Sequence, residues 1–187
     1  MINLPADIPK DMVTIHDKVF EPFLSSLELS GRVDQLAIQI NRDYEAQNPI
    51  FVVVLNGAFM FASDLLKKIT IPCEVSFVKV SSYTQMGSSG TVKELVGLNR
   101  PVNDRQVIVV EDIVDTGLTM SRLVKQLSDA GARDVHVATL LHKPAALQLP
   151  LQLRYVGFEI ENRFVVGYGL DYDEQGRNLD AIYVLAP

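Results

Sequence analysis

At 187 residues with a single cysteine, Cys73, the chain is long enough for one domain with a sizeable core, and it can form neither an internal disulfide nor a cysteine-based metal cluster. A formal charge of −6, with no basic run longer than Lys67-Lys68, argues against nucleic acid or an anionic membrane as the main partner. The same acidity means that any phosphate ligand must be met by backbone amides and a divalent cation.

In chain order, the N-terminal stretch breaks its apolar content with Pro5, Asp7, Pro9, Lys10 and Asp11, so no targeting core is expected there. No apolar run approaches the roughly 20 residues that span a bilayer, and the expectation is a cytoplasmic protein forming a single domain over residues 1–187. Val33, Leu36, Ala37, Ile40 and Tyr44 recur at helical spacing, which predicts a helix capped by Ser30 and stopped by Asn48-Pro49. Ile50 to Leu55 is a continuous β-rich apolar run, the pattern of a strand covered on both faces. Gly57 ends it, and residues 58–68 read as a helix.

Glu74 to Val80 reads as a second strand running into SSYTQMGSSG, a loop rich in serine and glycine. Gln106 to Val110 is a third, buried strand, followed by EDIVDTGLT and a helix from about Thr119 to Ala130, stopped by Gly131. Val135 to Leu141 gives one more strand. Strands alternating with helices predict an α/β fold, an open and mostly parallel sheet flanked by helices, with ligand at the carboxyl ends of the strands. The remaining pieces, Tyr155 to Phe158, Phe164 to Val166 and Ile182 to Leu185, are short and joined by polar turns, which suggests a small cap built largely from the C-terminal segment.

VIVVEDIVDTGLT holds the most chemistry. Val107 to Val110 deliver Glu111 and Asp112 to a strand's carboxyl end, Asp115 follows, and Thr116, Gly117 and Thr119 supply a turn and hydroxyls at a helix N-terminus. Vicinal carboxylates accept hydrogen bonds from adjacent hydroxyls while the amides beyond them hold a phosphate, so the ligand that fits is a sugar phosphate. On spacing alone an N-cap aspartate among solvated neighbours would also serve.

EDIVDTG resembles the phosphoribosyl pyrophosphate signature of the hypoxanthine-guanine phosphoribosyltransferase family. LNGAFMF at 55–61, SSY at 81–83, LLHKP at 140–144 and VGFEIENRFVVGYGLDYDEQGRNL at 156–179 are similar to that family's other motifs, in its order. The resemblance implies the type I phosphoribosyltransferase fold and transfer of a phosphoribosyl group from phosphoribosyl pyrophosphate to a 6-oxopurine: hypoxanthine and also guanine, with xanthine not separable. It implies that Glu111 and Asp112 hold the ribose hydroxyls, that Asp115 accepts the N7 proton, and that Thr116, Gly117, Leu118 and Thr119 cradle the 5′-phosphate. Lys143 would donate to the 6-oxygen, Phe164 would stack on the base, and Val165 would bond its edge through the backbone. Asn56, Gly57 and Arg177 would meet pyrophosphate, Asp171 together with Glu111 and Asp112 would hold Mg²⁺, and Ser82 and Tyr83 would belong to a closing loop. A homodimer or homotetramer is also implied.

Two positions depart from the family pattern: Asn56, where lysine or arginine is frequent, and Leu118, where lysine is common. The family places a cis peptide before the first of these, and Leu55-Asn56 is the matching bond. Other readings fail on spacing. Gly167-Tyr168-Gly169 lacks a third glycine, with Tyr172 in its place. Asp171, Asp173 and Gly176 begin like a calcium loop that ends on Ile182 where a glutamate is required. A phosphorylated receiver domain would place its acidic pair near the N-terminus, and a nucleotide-sensing regulator of RNA sits poorly with the acidic balance.

Overall fold

The computed structural model describes residues 11–79 and 101–187. Its centre is a five-stranded, wholly parallel sheet in the order β4-β3-β5-β6-β7, built from Glu74–Lys79, Ile50–Leu55, Gln106–Val114, Asp134–His142 and Tyr155–Glu159. Alternation along β3 explains the unbroken apolar run there. Phe51 and Val53 face the core under α1 (Ser26–Asp43) and α2 (Phe59–Leu66), while Ile50, Val52 and Val54 join the core under α3 (Leu118–Asp129). Val33, Leu36 and Ile40 of α1 are fully buried, as their spacing predicted.

The start of α1 differs from the sequence expectation. The cap is Ser25, not Ser30, and it forms a reciprocal capping box with Glu28, which places a further buried residue, Leu29, on the helix. The helix also ends sooner, with Tyr44 as its C-cap. On the outer edge of the sheet, Arg32 of α1 donates to the Val156 and Gly157 carbonyls at 2.8 and 2.7 Å, occupying acceptors that a bare edge would present.

The cap is a four-stranded antiparallel sheet in the order β1-β2-β9-β8, from Val13–Ile15, Lys18–Leu24, Ile182–Leu185 and Val165–Val166. The C-terminal strands were expected in it; the N-terminal hairpin β1–β2 was not, because Pro22 and the charged residues of that stretch mask its alternation. Phe20 of β2 is fully buried against Val166 and Ile15 and anchors the hairpin. The sequence puts Tyr155 to Phe158 among the cap pieces, yet Tyr155–Glu159 pairs parallel to β6 as the last strand of the main sheet.

Candidate active site

β5 runs four residues past the point where its apolar pattern stops, to Val114, so Glu111 and Asp112 lie within the strand and not beyond it. Each is only 9% exposed. Glu111 stays in register with Thr139 of β6, and Ile113 with Leu141, so the parallel ladder holds both acids rigid. Burial, reinforced by the neighbouring Asp112 carboxylate, pushes the Glu111 carboxyl well above its ordinary range. Asp112 lies against the loop after β3: a Cβ at Gly57 would overlap its carboxylate, so the position has room for hydrogen alone. The peptide bond just before, Leu55–Asn56, is cis.

After Asp115 the chain turns through Thr116 and Gly117 into α3. Gly117 is the N-cap with φ of 75°, a left-handed conformation that favours glycine, and the Leu118 N–H donates to Thr116 Oγ1 at 3.4 Å. The helical ladder begins with Ser121 N–H donating to the Gly117 carbonyl at 2.8 Å, so the amides of Thr119 and Met120 lie at the helix start outside the ladder. Beside them lies a cavity of about 110 Å³ between Glu111, Asp115, Thr116, Gly117 and Thr119. That is several times the space a single water needs. An open helix N-terminus facing such a cavity suits an anion. Leu147 packs on Gly117, and Gln148 N–H donates to the Thr116 carbonyl at 3.0 Å, so the segment after Lys143 braces this turn.

Asp115 and Lys143 come together, 28 positions apart in sequence. Lys143 Nζ donates to Asp115 Oδ2 at 3.0 Å, and the lysine side chain is 8% exposed against 45% for the aspartate. Lys143 N–H bonds to the Val114 carbonyl, so the ends of β5 and β6 are tied where the pair forms. The result is one acceptor and one donor, side by side, next to the phosphate-sized cavity.

Phe164 and Val165 belong to the cap, and among the described residues no hydrogen bond or ion pair joins them to Asp115 or Lys143. Phe164 is 44% exposed. Its carbonyl accepts from Leu185 N–H at 2.9 Å, so in the alternating antiparallel pattern Val165 turns its own N–H and C=O toward the open edge of β8. Asp171 and Arg177 pair at 2.7 Å, and Arg177 also donates to the Gly169 carbonyl at 2.9 Å. A Cβ on Gly169 would strike the Gly57 carbonyl, so this turn of the cap rests directly on the loop of Asn56 and Gly57. Tyr168 reinforces the contact by donating to Asp64 of α2 at 2.6 Å. Neither Gly169 nor Tyr168 stood out in the sequence as more than half of a failed glycine motif. Ser82 and Tyr83 lie outside the described residues. Among the described residues there is no group of three or more His, Cys, Asp or Glu placed to hold a metal, so Asp171, Glu111 and Asp112 do not converge as the expected metal set; Asp171 by itself offers a partly exposed carboxylate of the hard-oxygen type that magnesium takes.

A family model described as phosphoribosyl transferase domain matches residues 24–173. A hypoxanthine-guanine phosphoribosyltransferase of Mycobacterium bovis is 42% identical over 171 residues, covering 88% of this chain and 85% of that one. The chain belongs to the hypoxanthine-guanine phosphoribosyltransferase family. Another member, from Bacillus subtilis, is 39% identical with 92% of this chain and 96% of its own covered. The solved structure of a Bacillus anthracis hypoxanthine-guanine phosphoribosyltransferase superposes with a TM-score of 0.83 at 37% identity, over 89% of this chain and 98% of that one. The parallel sheet flanked by helices is therefore the type I phosphoribosyltransferase fold.

Proposed function

We infer that this chain transfers the 5-phosphoribosyl group of phosphoribosyl pyrophosphate to hypoxanthine, and to guanine as a second 6-oxopurine, giving IMP or GMP and pyrophosphate. The carrying observation is the Asp115–Lys143 pair at 3.0 Å. A 6-oxopurine presents N7–H and O6 on one edge, and this pair offers the matching acceptor and donor, whereas adenine would set an amino donor against the lysine. Glu111 and Asp112 would hold the ribose hydroxyls, and the open end of α3, with Thr116, Gly117, Leu118 and Thr119, would cradle the 5′-phosphate. Phe164 would stack on the base and Val165 would bond its edge through the free backbone of β8. Asn56, Gly57 and Arg177 would meet pyrophosphate.

In the reaction the bond from the anomeric carbon to pyrophosphate breaks, N9 of the purine bonds to that carbon, and the N7 proton passes to Asp115. Asp171 would hold a magnesium ion, which would offset the charge of the pyrophosphate when bound, while Glu111 and Asp112 would serve the ribose. Residues 82 and 83 would close over the centre and keep water from the activated sugar. Homodimer or homotetramer assembly and a cytoplasmic setting accompany this reading. The acidic balance supports small-molecule partners over nucleic acid or a membrane surface, and no helix among the described residues is long and apolar enough to cross one. Initial rates with hypoxanthine, guanine, xanthine and adenine test it: IMP should form, and a chelator should abolish its formation. No nucleotide under saturating magnesium would refute the reading.

A further inference from the structure

The N-terminal hairpin reaches the aromatic residues of the cap at points that the reaction does not use. β1 and β2 meet in a tight turn where His16 has a φ of 52°. Asp17 accepts a hydrogen bond from the Tyr172 hydroxyl at 2.8 Å, and this bond holds the Asp17 carboxyl below its ordinary range. His16 stands edge-on to the Tyr172 ring at 5.7 Å, with Nε2 3.2 Å from the Asp173 carbonyl oxygen. Lys18 Nζ lies 5.6 Å from the centre of the same ring. Three consecutive residues thus hold one side chain.

Tyr172 in turn meets Phe164 at 5.8 Å with the planes at 84°, an edge-to-face contact. Buried Phe20 of β2 meets both rings, at 6.2 and 6.3 Å. Phe164 has no polar atom with which to fix its own plane, so the orientation of this half-exposed ring is set by those two neighbours, and both are governed by the hairpin. We propose that the β1–β2 turn is a positioning element for the base: Asp17, acting through Tyr172, fixes the angle at which Phe164 meets the purine. This rests on the base-stacking role given to Phe164 above. Asp17 and Tyr172 are positioning residues, since neither contacts the reacting atoms.

The test uses the full chain with Asp17→Ala, Asp17→Asn, Tyr172→Phe and the double variant Asp17→Ala/Tyr172→Phe. For each, KM for hypoxanthine, KM for phosphoribosyl pyrophosphate, kcat, IMP affinity by titration calorimetry and the unfolding midpoint are measured. Asp17→Ala and Tyr172→Phe should each raise the hypoxanthine KM and weaken IMP binding by about twofold to tenfold, the range of one hydrogen bond, with kcat and the other KM within about twofold. Asp17→Asn should stay near wild type, because its amide oxygen still accepts from Tyr172. The double variant should be no worse than either single one. The bond lies at the surface, so these variants keep the fold. An unmoved hypoxanthine KM in both single variants overturns the proposal, as does a change shared equally with kcat, the other KM and the unfolding midpoint. If the wild type makes no IMP, the functional reading fails and this proposal falls with it; an active wild type with indifferent Asp17 variants removes the positioning role alone.

Discussion

Replacing Asp115 with Asn keeps the shape and an acceptor oxygen but removes charge and basicity, and the two losses differ in size. At 3.0 Å from Lys143, a unit-charge pair in an effective dielectric of about 20 carries a gross attraction of about 5 to 6 kcal/mol. The aspartate side chain is 45% exposed, so water screens the pair, and the retained acceptor still bonds the ammonium. A net stability loss of about 1 to 2 kcal/mol is expected, which lowers the unfolding midpoint by about 2 to 8 °C for a chain of this size. Loss of the proton acceptor removes about 10² to 10⁴-fold in rate, or about 2.7 to 5.4 kcal/mol of barrier lowering. The kinetic loss therefore exceeds the structural one. Single-turnover IMP formation, calorimetric affinity for phosphoribosyl pyrophosphate and thermal unfolding separate the two, and that affinity should stay near wild type. A rate loss under about tenfold, or affinity falling in step with kcat, would refute Asp115 as the base.

Lys143→Ala should narrow the ratio of kcat/KM for hypoxanthine over adenine by about tenfold to a hundredfold, the span of one charged hydrogen bond; an unchanged ratio would give the lysine another role. For Glu111 the sign is worked from its raised carboxyl: the folded protein holds a proton that the unfolded chain releases, so this group's contribution is complete below the ordinary carboxyl range and declines as pH rises toward the raised value. Glu111→Gln should therefore gain unfolding midpoint over wild type as pH rises above the ordinary carboxyl range in substrate-free calorimetry, and a gap that does not vary with pH would sink the idea. Gly57→Ala, whose new methyl overlaps the Asp112 carboxylate, should cost about 1 to 3 kcal/mol in stability and weaken phosphoribosyl pyrophosphate binding. Equal stability and affinity in that variant would mean the loop yields freely.

Local chemistry was legible where one element decides it. The apolar runs of β3 and β6 and the spacing on α1 gave the main sheet and its cover, and EDIVDTG with its companion motifs gave the candidate site. Ser25 and Glu28 form the capping box, whereas the sequence pointed to Ser30 because the apolar period starts clearly only at Val33. What stayed hidden depends on contacts between distant segments. The strand seemed to stop at Val110 because its residues turn acidic; pairing with β6 carries it on to Val114, and the hollow at Gly57 gives the Asp112 carboxylate room. Nothing local says that Asp115 meets Lys143, that Gly169 seats on Gly57, or that residues 20–24 pair with residues 182–185.

That last pairing bears on how the protein is made. Phe20 pairs with Leu185, so β2 leaves the ribosome long before the strand that covers it. Every strand of the parallel sheet, by contrast, has been synthesised once residue 159 is out. A nascent chain stalled there carries Glu111, Asp112, Asp115 and Lys143 but lacks Val165, Tyr168, Leu170, Ile182 and Val184 of the core under α1 and α2, and its first hairpin remains without a partner. Phe164 and the edge of β8 are thus the last part of the candidate site to be placed, after Asp115 and Lys143, and truncation ahead of β9 should leave β2 and β8 without the strand that joins them.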